Sequence, residues 1–382
     1  MLYIANAQLV TDGQRPVPSG VLVDGNRIAL IAPPTQPPPG VPVLDATGLY
    51  LAPGFIDLQL NGGFGDDFTA DPAGLWRVAA CLPQFGVTAF LPTIVSSPLS
   101  TVAAAQAAWR QGPPPNQRGA VPLGLHVEGP FINPEKRGAH NPDHLRLPDV
   151  AAVTRWTPEA GVRLVTLAPE LPRALDMIRA LRAQGVVVSA GHSLATVEEA
   201  EAGFRAGIRY GTHLFNAMPP LDHRAPGLAG ALLASPGITV GVIADGVHLH
   251  PAAVALAWRA KRLTGLTLVT DAMAALGMPP GRYRLGDYEA TVDDTSVRLP
   301  DGRLAGSRLS LDAALRNLVE FTDCSLSEAL QTVTAAPAAV LGLDDERGRV
   351  AVGYLADLVL LTADVRVAAT IVAGEVAYRA AD

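Results

Sequence analysis

The sequence predicts an α/β protein, a closed parallel (β/α)8 TIM barrel that carries a small β-sandwich domain. Between residues 54 and 272, eight short apolar runs have the length of buried strands, and helix-like stretches separate most of them. A glycine often stands just before the run, as at Gly86 and Gly185, which fits a helix that ends on glycine and leads into a strand. Eight such repeats predict a barrel whose active site lies at the carboxyl ends of the strands.

The elements follow in order from these runs. The predicted strands cover residues 54–60, 87–93, 123–129, 162–170, 186–192, 208–215, 239–246 and 266–272. The predicted helices include residues 72–85, 99–110, 173–183, 196–206 and 251–262, and two more follow at 307–321 and 325–335. An open doubly wound sheet is the competing fold. It usually has a GxGxxG loop after its first strand, and that motif is absent.

Strand-like segments at both ends of the chain predict the small domain. Residues 1–50 hold short strand-like runs, residues 51–340 hold the barrel, and residues 341–382 return to strand-like sequence. The simplest packing joins the two ends into one small β domain, because their strand-like sequences are alike.

Composition favours a large buried core and excludes several classes of partner. Of the 382 residues, 49% are hydrophobic and 17% charged, and the net charge of −7 comes without a block of Lys or Arg. Nucleic acid is therefore not expected as a partner. The two cysteines, Cys81 and Cys324, form no CxxC pair, and the first residues do not resemble a signal peptide, so a cytoplasmic location is predicted.

One segment has the length of a membrane span. Residues 225–244 carry no charge. The pairs Pro226-Gly227 and Pro236-Gly237 interrupt the segment, so we expect a short helix and a strand there and no membrane association.

Polar side chains end many of the apolar runs, and in a barrel these ends meet at one mouth. These residues are His126, Glu128, His192, His213, Asp245, His248 and Asp271. A carboxylate with two imidazoles suits a divalent metal, and a further aspartate suits a general base. Each histidine alone could equally be a buried, hydrogen-bonded imidazole. Together, at neighbouring strand ends, they predict a metal-dependent hydrolase.

The motifs and their order resemble the amidohydrolase superfamily and, within it, the N-acetylglucosamine-6-phosphate deacetylases. The matching segments are PGFIDLQLNG (53–62), LHVEGPF (125–131), KRGAHNP (136–142), VTLAPE (165–170), SAGHS (189–193), THLFNAM (212–218), APGLAG (225–230), IADGVHLH (243–250), LVTDAM (268–273) and LAGS (304–307). The resemblance implies a barrel with a β-sandwich from both termini. It also implies hydrolysis of N-acetylglucosamine 6-phosphate to glucosamine 6-phosphate and acetate, in amino-sugar catabolism and cell-wall sugar recycling.

The resemblance assigns roles to individual residues. Glu128, His192 and His213 would bind one divalent cation per subunit, with zinc the first expectation and iron, cobalt or manganese the alternatives. Asp271 would take a proton from the attacking water and return it to the departing amine. His140 would donate a hydrogen bond to the acetyl oxygen as negative charge develops.

A second set of residues would hold the sugar phosphate. By resemblance it consists of Ala139, Asn216, Ala217, Arg224, His248, Leu304, Ala305 and Gly306. Arg224 suits the phosphate because a guanidinium binds two oxygens at once, and in a homodimer it would reach the neighbouring subunit's site. The segment 277–286, rich in Gly and Pro, is expected to be either a lid or a plain loop.

One departure from the superfamily pattern separates the alternatives. Many members carry HxH at the end of the first strand, where this chain has Gln59 and Asn61, and a Lys after the fourth strand, where it has Glu170. Neutral amides are poor zinc ligands, so the amide pair is interpreted as a degenerate metal site or as support for the ligands. Dihydroorotase-like enzymes and nucleobase deaminases depend on those missing groups. A barrel that binds without catalysis is the other alternative, and none of its signs, such as a missing ligand, is present.

Overall fold

The computed structural model describes residues 1–11, 15–34 and 36–381. Eight parallel strands, β1 to β8, form the centre: Phe55–Leu60, Val87–Val95, Leu125–Glu128, Val162–Leu167, Val187–Ala190, Tyr210–Gly211, Thr239–Val242 and Leu266–Leu268. Successive strands pair from β1 to β8. Beyond the end of β8, Asn61 N–H donates to Ala272 O (2.7 Å) and Asp271 N–H to Gln59 O (2.9 Å), which joins β8 back to β1. The predicted barrel is confirmed.

Nine α-helices surround the barrel or follow it in the described residues. Helices α1 to α9 are Gly74–Cys81, Leu99–Gln111, Ala174–Ala183, Val197–Ala206, Gly227–Ala234, Pro251–Gly265, Leu311–Phe321, Leu326–Gln331 and Ala335–Val340. Helix α3 buries Ala174, Met177, Ile178 and Leu181, the spacing of one helical face. Helix α4 begins at a capping box in which Thr196 and Glu199 satisfy each other's backbone N–H groups.

The connection from β3 to β4 contains no α-helix. It contains three short 3-10 turns instead, Pro134–Lys136, Pro142–His144 and Val150–Val153, each begun by the side chain of an Asn or Asp that accepts a backbone N–H. This irregular connection carries Ala139 and His140 to the mouth of the barrel. Loops at this face are where (β/α)8 barrels place their functional groups.

The uncharged segment 225–244 folds as expected into a short helix, α5, and the strand β7. No helix in the described parts of the chain has both the length and the apolar character needed to cross a membrane.

Both ends of the chain form one small β domain, as predicted. Its strands are Leu2–Leu9, Val17–Asp24, Arg27–Ala32, Val43–Asp45, Tyr50–Pro53, Leu358–Leu361, Val367–Val372 and Glu375–Arg379. Strand Tyr50–Pro53 joins the two ends, because it pairs with Leu2–Leu9 on one side and with Leu358–Leu361 on the other. The eight strands form a single hydrogen-bonded network around their own apolar cluster, separate from the barrel core.

An unexpected three-stranded sheet follows β8. Its strands are Gly281–Leu285, Tyr288–Val292 and Val297–Arg298. Half of the segment 277–286 is therefore strand, and the interpretation of that half as a plain loop was wrong. The reason is alternation, since Leu285, Ala290 and Val292 point into an apolar cluster while Arg284, Glu289 and Thr291 beside them are exposed.

Candidate active site

The strands that carry the polar residues end in unusual backbone. His192, His213 and Asp271 have φ values of 50°, 31° and 47°, in the left-handed region that residues with a side chain seldom adopt. Each such residue costs about 1–3 kcal/mol and persists where the surroundings hold it, most often at functional sites. The strands end before these residues, at Ala190, Gly211 and Leu268, and so earlier than their apolar runs predicted.

Three side chains converge at the mouth of the barrel. Glu128 Oε1 lies 3.1 Å from His192 Nε2 and 3.1 Å from His213 Nε2, and the two nitrogens are 3.0 Å apart. All three residues are at least 95% buried. Ligand atoms held about 2.0–2.1 Å from a tetrahedral zinc are about 3.3 Å from one another, so this triangle has nearly the size that a metal requires.

The hydrogen bond behind His192 supports the same conclusion. His192 Nδ1 lies 2.8 Å from the carbonyl oxygen of Lys136, which can only accept, so Nδ1 carries the proton. In the neutral ring, Nε2 then points an electron pair at Glu128 and His213. Electron-pair donors facing one another at this distance need a cation between them, and a ring fixed by a carbonyl is the usual support for a metal ligand. The donor set therefore fits a divalent metal.

His140 lies beside this triangle but has the opposite tautomer. A trio of Glu128, His140 and His192 also has ligand atoms within 4.8 Å of one another. However, His140 Nδ1 accepts the backbone N–H of Ser96 at 3.1 Å, with the Ser96 hydroxyl at 2.7 Å. The proton is then on Nε2, which makes this nitrogen a hydrogen-bond donor toward the cavity. His213 is therefore the better third metal ligand.

Asp271 is held by the side-chain amides of Gln59 and Asn61. Asn61 Nδ2 donates to Asp271 Oδ1 at 2.7 Å, and Gln59 Nε2 donates to the same oxygen at 3.1 Å and to Glu128 Oε1 at 3.0 Å. The amide nitrogens thus face the carboxylates, an arrangement that repels a second cation. The amide oxygens of Gln59 and Asn61 are buried and have no partner among the described residues.

Burial and neighbouring groups shift the pKa values of the site in opposite directions. Burial, followed by the negative charge of Glu128, raises the pKa of Asp271 to about 6. Burial alone would also raise the pKa of Glu128, but the two imidazoles beside it, His192 and His213, outweigh burial and hold that pKa well below its usual value. Burial lowers the pKa of His140 to about 3, so its ring is neutral. A carboxyl with a pKa near neutrality suits proton transfer.

A cavity of about 140 Å³ lies over these groups. Of the residues predicted to hold the substrate, six line it: Ala139, Asn216, Ala217, His248, Leu304 and Gly306. His248 is oriented by Asp245, whose Oδ2 lies 2.7 Å from the ring Nδ1 and whose Oδ1 accepts the His248 backbone N–H at 2.7 Å. The other ring nitrogen is thereby available to a ligand.

Two predicted substrate residues lie elsewhere. Ala305 is fully buried in an apolar cluster and does not line the cavity, whereas its neighbours Leu304 and Gly306 do, so its contact with the sugar stays a prediction. Arg224 is exposed on the loop between β6 and α5 and does not line the cavity of its own chain. A contact from Arg224 would have to come from a neighbouring subunit.

His126 and Glu170 support the site from outside the cavity. His126 is fully buried, its Nε2 lies 2.7 Å from the Thr166 hydroxyl, and burial lowers its pKa to about 4. Glu170 accepts hydrogen bonds from the Leu194 N–H (2.7 Å), the Ser193 hydroxyl (2.7 Å) and Asn133 (3.0 Å). The Glu170 carboxylate therefore fixes the loop that begins directly after His192.

Sequence reasoning missed Ser96, Val95 and Leu285. Ser96 sets the tautomer of His140, and Val95 and Leu285 line the cavity. The predicted second strand ended at residue 93, whereas β2 continues to Val95 and Ser96 follows it directly, so both residues fell outside the prediction. No sequence signal indicated Leu285, because the sheet that carries it was not predicted.

Comparison with known proteins identifies the family. The amidohydrolase family model matches residues 50–377. The N-acetylglucosamine-6-phosphate deacetylase of Homo sapiens is 44% identical over 352 residues, which cover 88% of this chain and 85% of that protein. The deacetylase of Bacillus subtilis is 37% identical over 334 residues, which cover 86% of this chain and 84% of that protein.

Solved structures agree with the sequence relatives. The crystal structure of the Thermotoga maritima deacetylase superposes with a TM-score of 0.89 at 34% identity, covering 99% of this chain and 100% of that one. An aspartate-to-alanine mutant of the Mycobacterium smegmatis deacetylase, in complex with N-acetyl-D-glucosamine-6-phosphate, superposes with a TM-score of 0.90 at 33% identity, covering 98% and 99%. The chain belongs to the amidohydrolase family and, within it, to the N-acetylglucosamine-6-phosphate deacetylases.

Proposed function

We propose that this chain hydrolyses the acetamide of N-acetyl-D-glucosamine 6-phosphate to D-glucosamine 6-phosphate and acetate. The observation that carries the proposal is the meeting of Glu128, His192, His213 and Asp271 beneath one cavity. The relatives named N-acetylglucosamine-6-phosphate deacetylase align with more than four fifths of this chain, which supports the proposal. The products belong to amino-sugar catabolism and to the recycling of cell-wall sugars.

Glu128, His192 and His213 would hold one divalent cation per subunit. The nitrogen and oxygen donors and the 3.0–3.1 Å separations of their ligand atoms favour zinc. When bound, the cation lowers the pKa of water and polarises the acetyl carbonyl. The Gln59 and Asn61 amides leave no comparable donor set for a second cation.

Asp271 would act first as a base and then as an acid. Its Oδ1 accepts from Asn61 and Gln59, so its other oxygen is available to the attacking water. The carboxylate takes a proton from that water and passes it to the amine nitrogen, which leaves poorly unless it is protonated. Burial, with the charge of Glu128, raises the pKa of this carboxyl above its ordinary value in the metal-free protein, which favours its role as a proton acceptor.

His140 would stabilise the oxygen of the acetyl group. Its Nε2 carries a proton because Ser96 occupies Nδ1, and its ring stays neutral because burial depresses the pKa to about 3. A fixed N–H donor beside the reacting carbonyl stabilises negative charge that develops there.

The phosphate would bind to His248 and to Arg224 of a second subunit. The chain has a net charge of −7, so attraction for an anionic sugar must come from local groups. Arg224 and the apolar Leu221, which is 44% exposed, lie on the same exposed loop, and an exposed apolar side chain beside an exposed cation supports a contact with another subunit. We therefore propose a homodimer, and the free Cys81 and Cys324 support a cytoplasmic location.

Acetate release distinguishes this function from its rivals. Purified protein is assayed on N-acetylglucosamine 6-phosphate, dihydroorotate and cytosine, each before and after treatment with a metal chelator. We expect turnover of the first substrate alone, measured as acetate release. The chelator should abolish this turnover and a divalent cation should restore it. Turnover of only dihydroorotate or cytosine would replace the proposal with another amidohydrolase activity, and no turnover with metal bound would favour a non-catalytic barrel.

A further inference from the structure

We propose that Val95 and Leu285 form a wall that limits the N-acyl group of the substrate to acetyl. Both side chains line the cavity and both are more than 90% buried. The inference rests on the proposed function, and it adds the part of the site that selects the acyl chain. Under this proposal, the two residues determine which carboxylic acid the enzyme can release.

Val95 stands beside the groups that handle the carbonyl. It ends β2 and pairs in register with Glu128 on β3. The next residue, Ser96, donates its backbone N–H to His140. The Val95 side chain therefore occupies the side of the cavity next to Glu128 and His140, where the acetyl oxygen is expected.

Leu285 reaches the same place from the sheet after β8. A Cβ atom added to the next residue, Gly286, would lie 3.2 Å from Val95 Cγ2, so the two segments are in close contact. Gly286 N–H donates to the buried Asp67 at 3.0 Å, and Asp287 accepts from Asn141 at 2.8 Å. These bonds fix the turn to the loops after β1 and β3. Leu285 is thus held as a rigid part of the wall.

The barrel geometry indicates which substituent of the carbonyl faces this wall. In an eight-stranded barrel β2 lies opposite β6. The phosphate is assigned to Arg224 after β6 and His248 after β7, and Asn216 and Ala217 also follow β6, so we place the phosphate end of the sugar over that side. The carbonyl lies over the metal ligands between the two sides. Its remaining substituent, the acyl chain, then points toward β2, where it meets Val95 and Leu285.

A wall of this kind predicts sharp selection by chain length. One extra methylene in a closed apolar pocket changes kcat/KM by about 10–200-fold. We expect the wild-type enzyme to prefer N-acetyl- over N-propionylglucosamine 6-phosphate by a factor in that range. Leu285→Ala removes side-chain atoms from the wall, and we expect it to reduce the preference at least about tenfold.

The test compares kcat/KM for the N-formyl, N-acetyl and N-propionyl substrates in the wild type, Leu285→Ala, Val95→Ile and a matched control. Leu299 is buried in the same apolar cluster as Leu285 but does not line the cavity, so Leu299→Ala is the control for lost packing. Its preference should equal that of the wild type. Val95→Ile adds a methyl group to the wall and should lower kcat/KM for the N-acetyl substrate more than for N-formylglucosamine 6-phosphate.

The outcomes separate the two proposals. If the wild type releases acetate but Leu285→Ala and Val95→Ile both keep the wild-type preference, the wall is wrong and the proposed function stands. If Leu299→Ala reduced the preference for the N-acetyl substrate as much as Leu285→Ala does, the wall would also be wrong, because the effect would then come from lost packing in the apolar cluster. If the wild type hydrolyses none of the three acyl substrates with metal present, the proposed function itself fails.

Discussion

Asp271→Asn removes the proposed base and keeps the shape of its side chain. Asn61 and Gln59 donate to Asp271 Oδ1 at 2.7 and 3.1 Å, and the oxygen of an asparagine can accept both bonds. The new side chain can neither take a proton from water nor return one to the amine. We expect kcat to fall at least about a hundredfold, which corresponds to about 2.7 kcal/mol in the barrier.

The same substitution should stabilise the metal-free protein at pH 7. Burial raises the pKa of Asp271 from 3.8 to about 6, so between these values the folded protein binds more protons than the unfolded chain. The stability that this group contributes therefore falls as the pH rises through that window, and stays low above it. At 1.36 kcal/mol per pKa unit the cost is about 3 kcal/mol, and a neutral asparagine removes it.

The assay combines steady-state kinetics, metal analysis and urea unfolding of chelator-treated protein at pH 7. Asp57→Asn is a matched control, because Asp57 is a buried carboxylate that accepts from the Thr270 hydroxyl at 2.6 Å and does not line the cavity. We expect metal content near wild type in both variants and a large loss of kcat only in Asp271→Asn. A kcat within about threefold of wild type in Asp271→Asn would refute the base role.

The remaining predictions concern the phosphate, the acetyl oxygen and the loop after His192. Arg224→Ala should weaken use of the 6-phosphate substrate by about 2 kcal/mol or more and barely change the hydrolysis of unphosphorylated N-acetylglucosamine; equal losses on both would exclude the phosphate role. Mixing Arg224→Ala with Asp271→Asn protein should restore some activity, and no restoration despite measured subunit exchange would exclude action across the interface. His140→Gln should lower kcat by about 10²–10³ with little change in metal content, and an unchanged kcat would contradict its role at the oxygen. Glu170→Ala should weaken metal affinity by about tenfold or more, as metal titration will measure; unchanged affinity would show that the loop holds His192 without this carboxylate.

Much of the architecture could be predicted because burial leaves a clear pattern in this chain. Strands buried on both faces read as short apolar runs, and a polar residue that ends such a run stands out, as Glu128, His192 and Asp271 do. Their convergence followed from the barrel alone, since all parallel strands end at one mouth. The loop after β3 was noticed through its motif, although its 3-10 turns give no periodic signal.

Other features depend on contacts between distant segments, which one sequence does not record. The tautomer of His140 is set by the backbone N–H of Ser96. Every residue except proline has such a group, so the sequence does not show which one His140 contacts. Leu285 reaches the cavity only because a sheet after β8 folds back over the mouth. Arg224 does not line the cavity of its own chain. Its position between two motifs of the site did not indicate this.

Titration of metal-free enzyme with zinc tests the central claim most directly. Acetate release from N-acetylglucosamine 6-phosphate is followed as the ion is added to protein of known concentration, with bound metal measured in the same samples. One site formed by Glu128, His192 and His213 predicts activity that rises linearly and stops at one ion per chain. A rise that continues to two ions per chain, or full activity with no ion bound, would contradict the account.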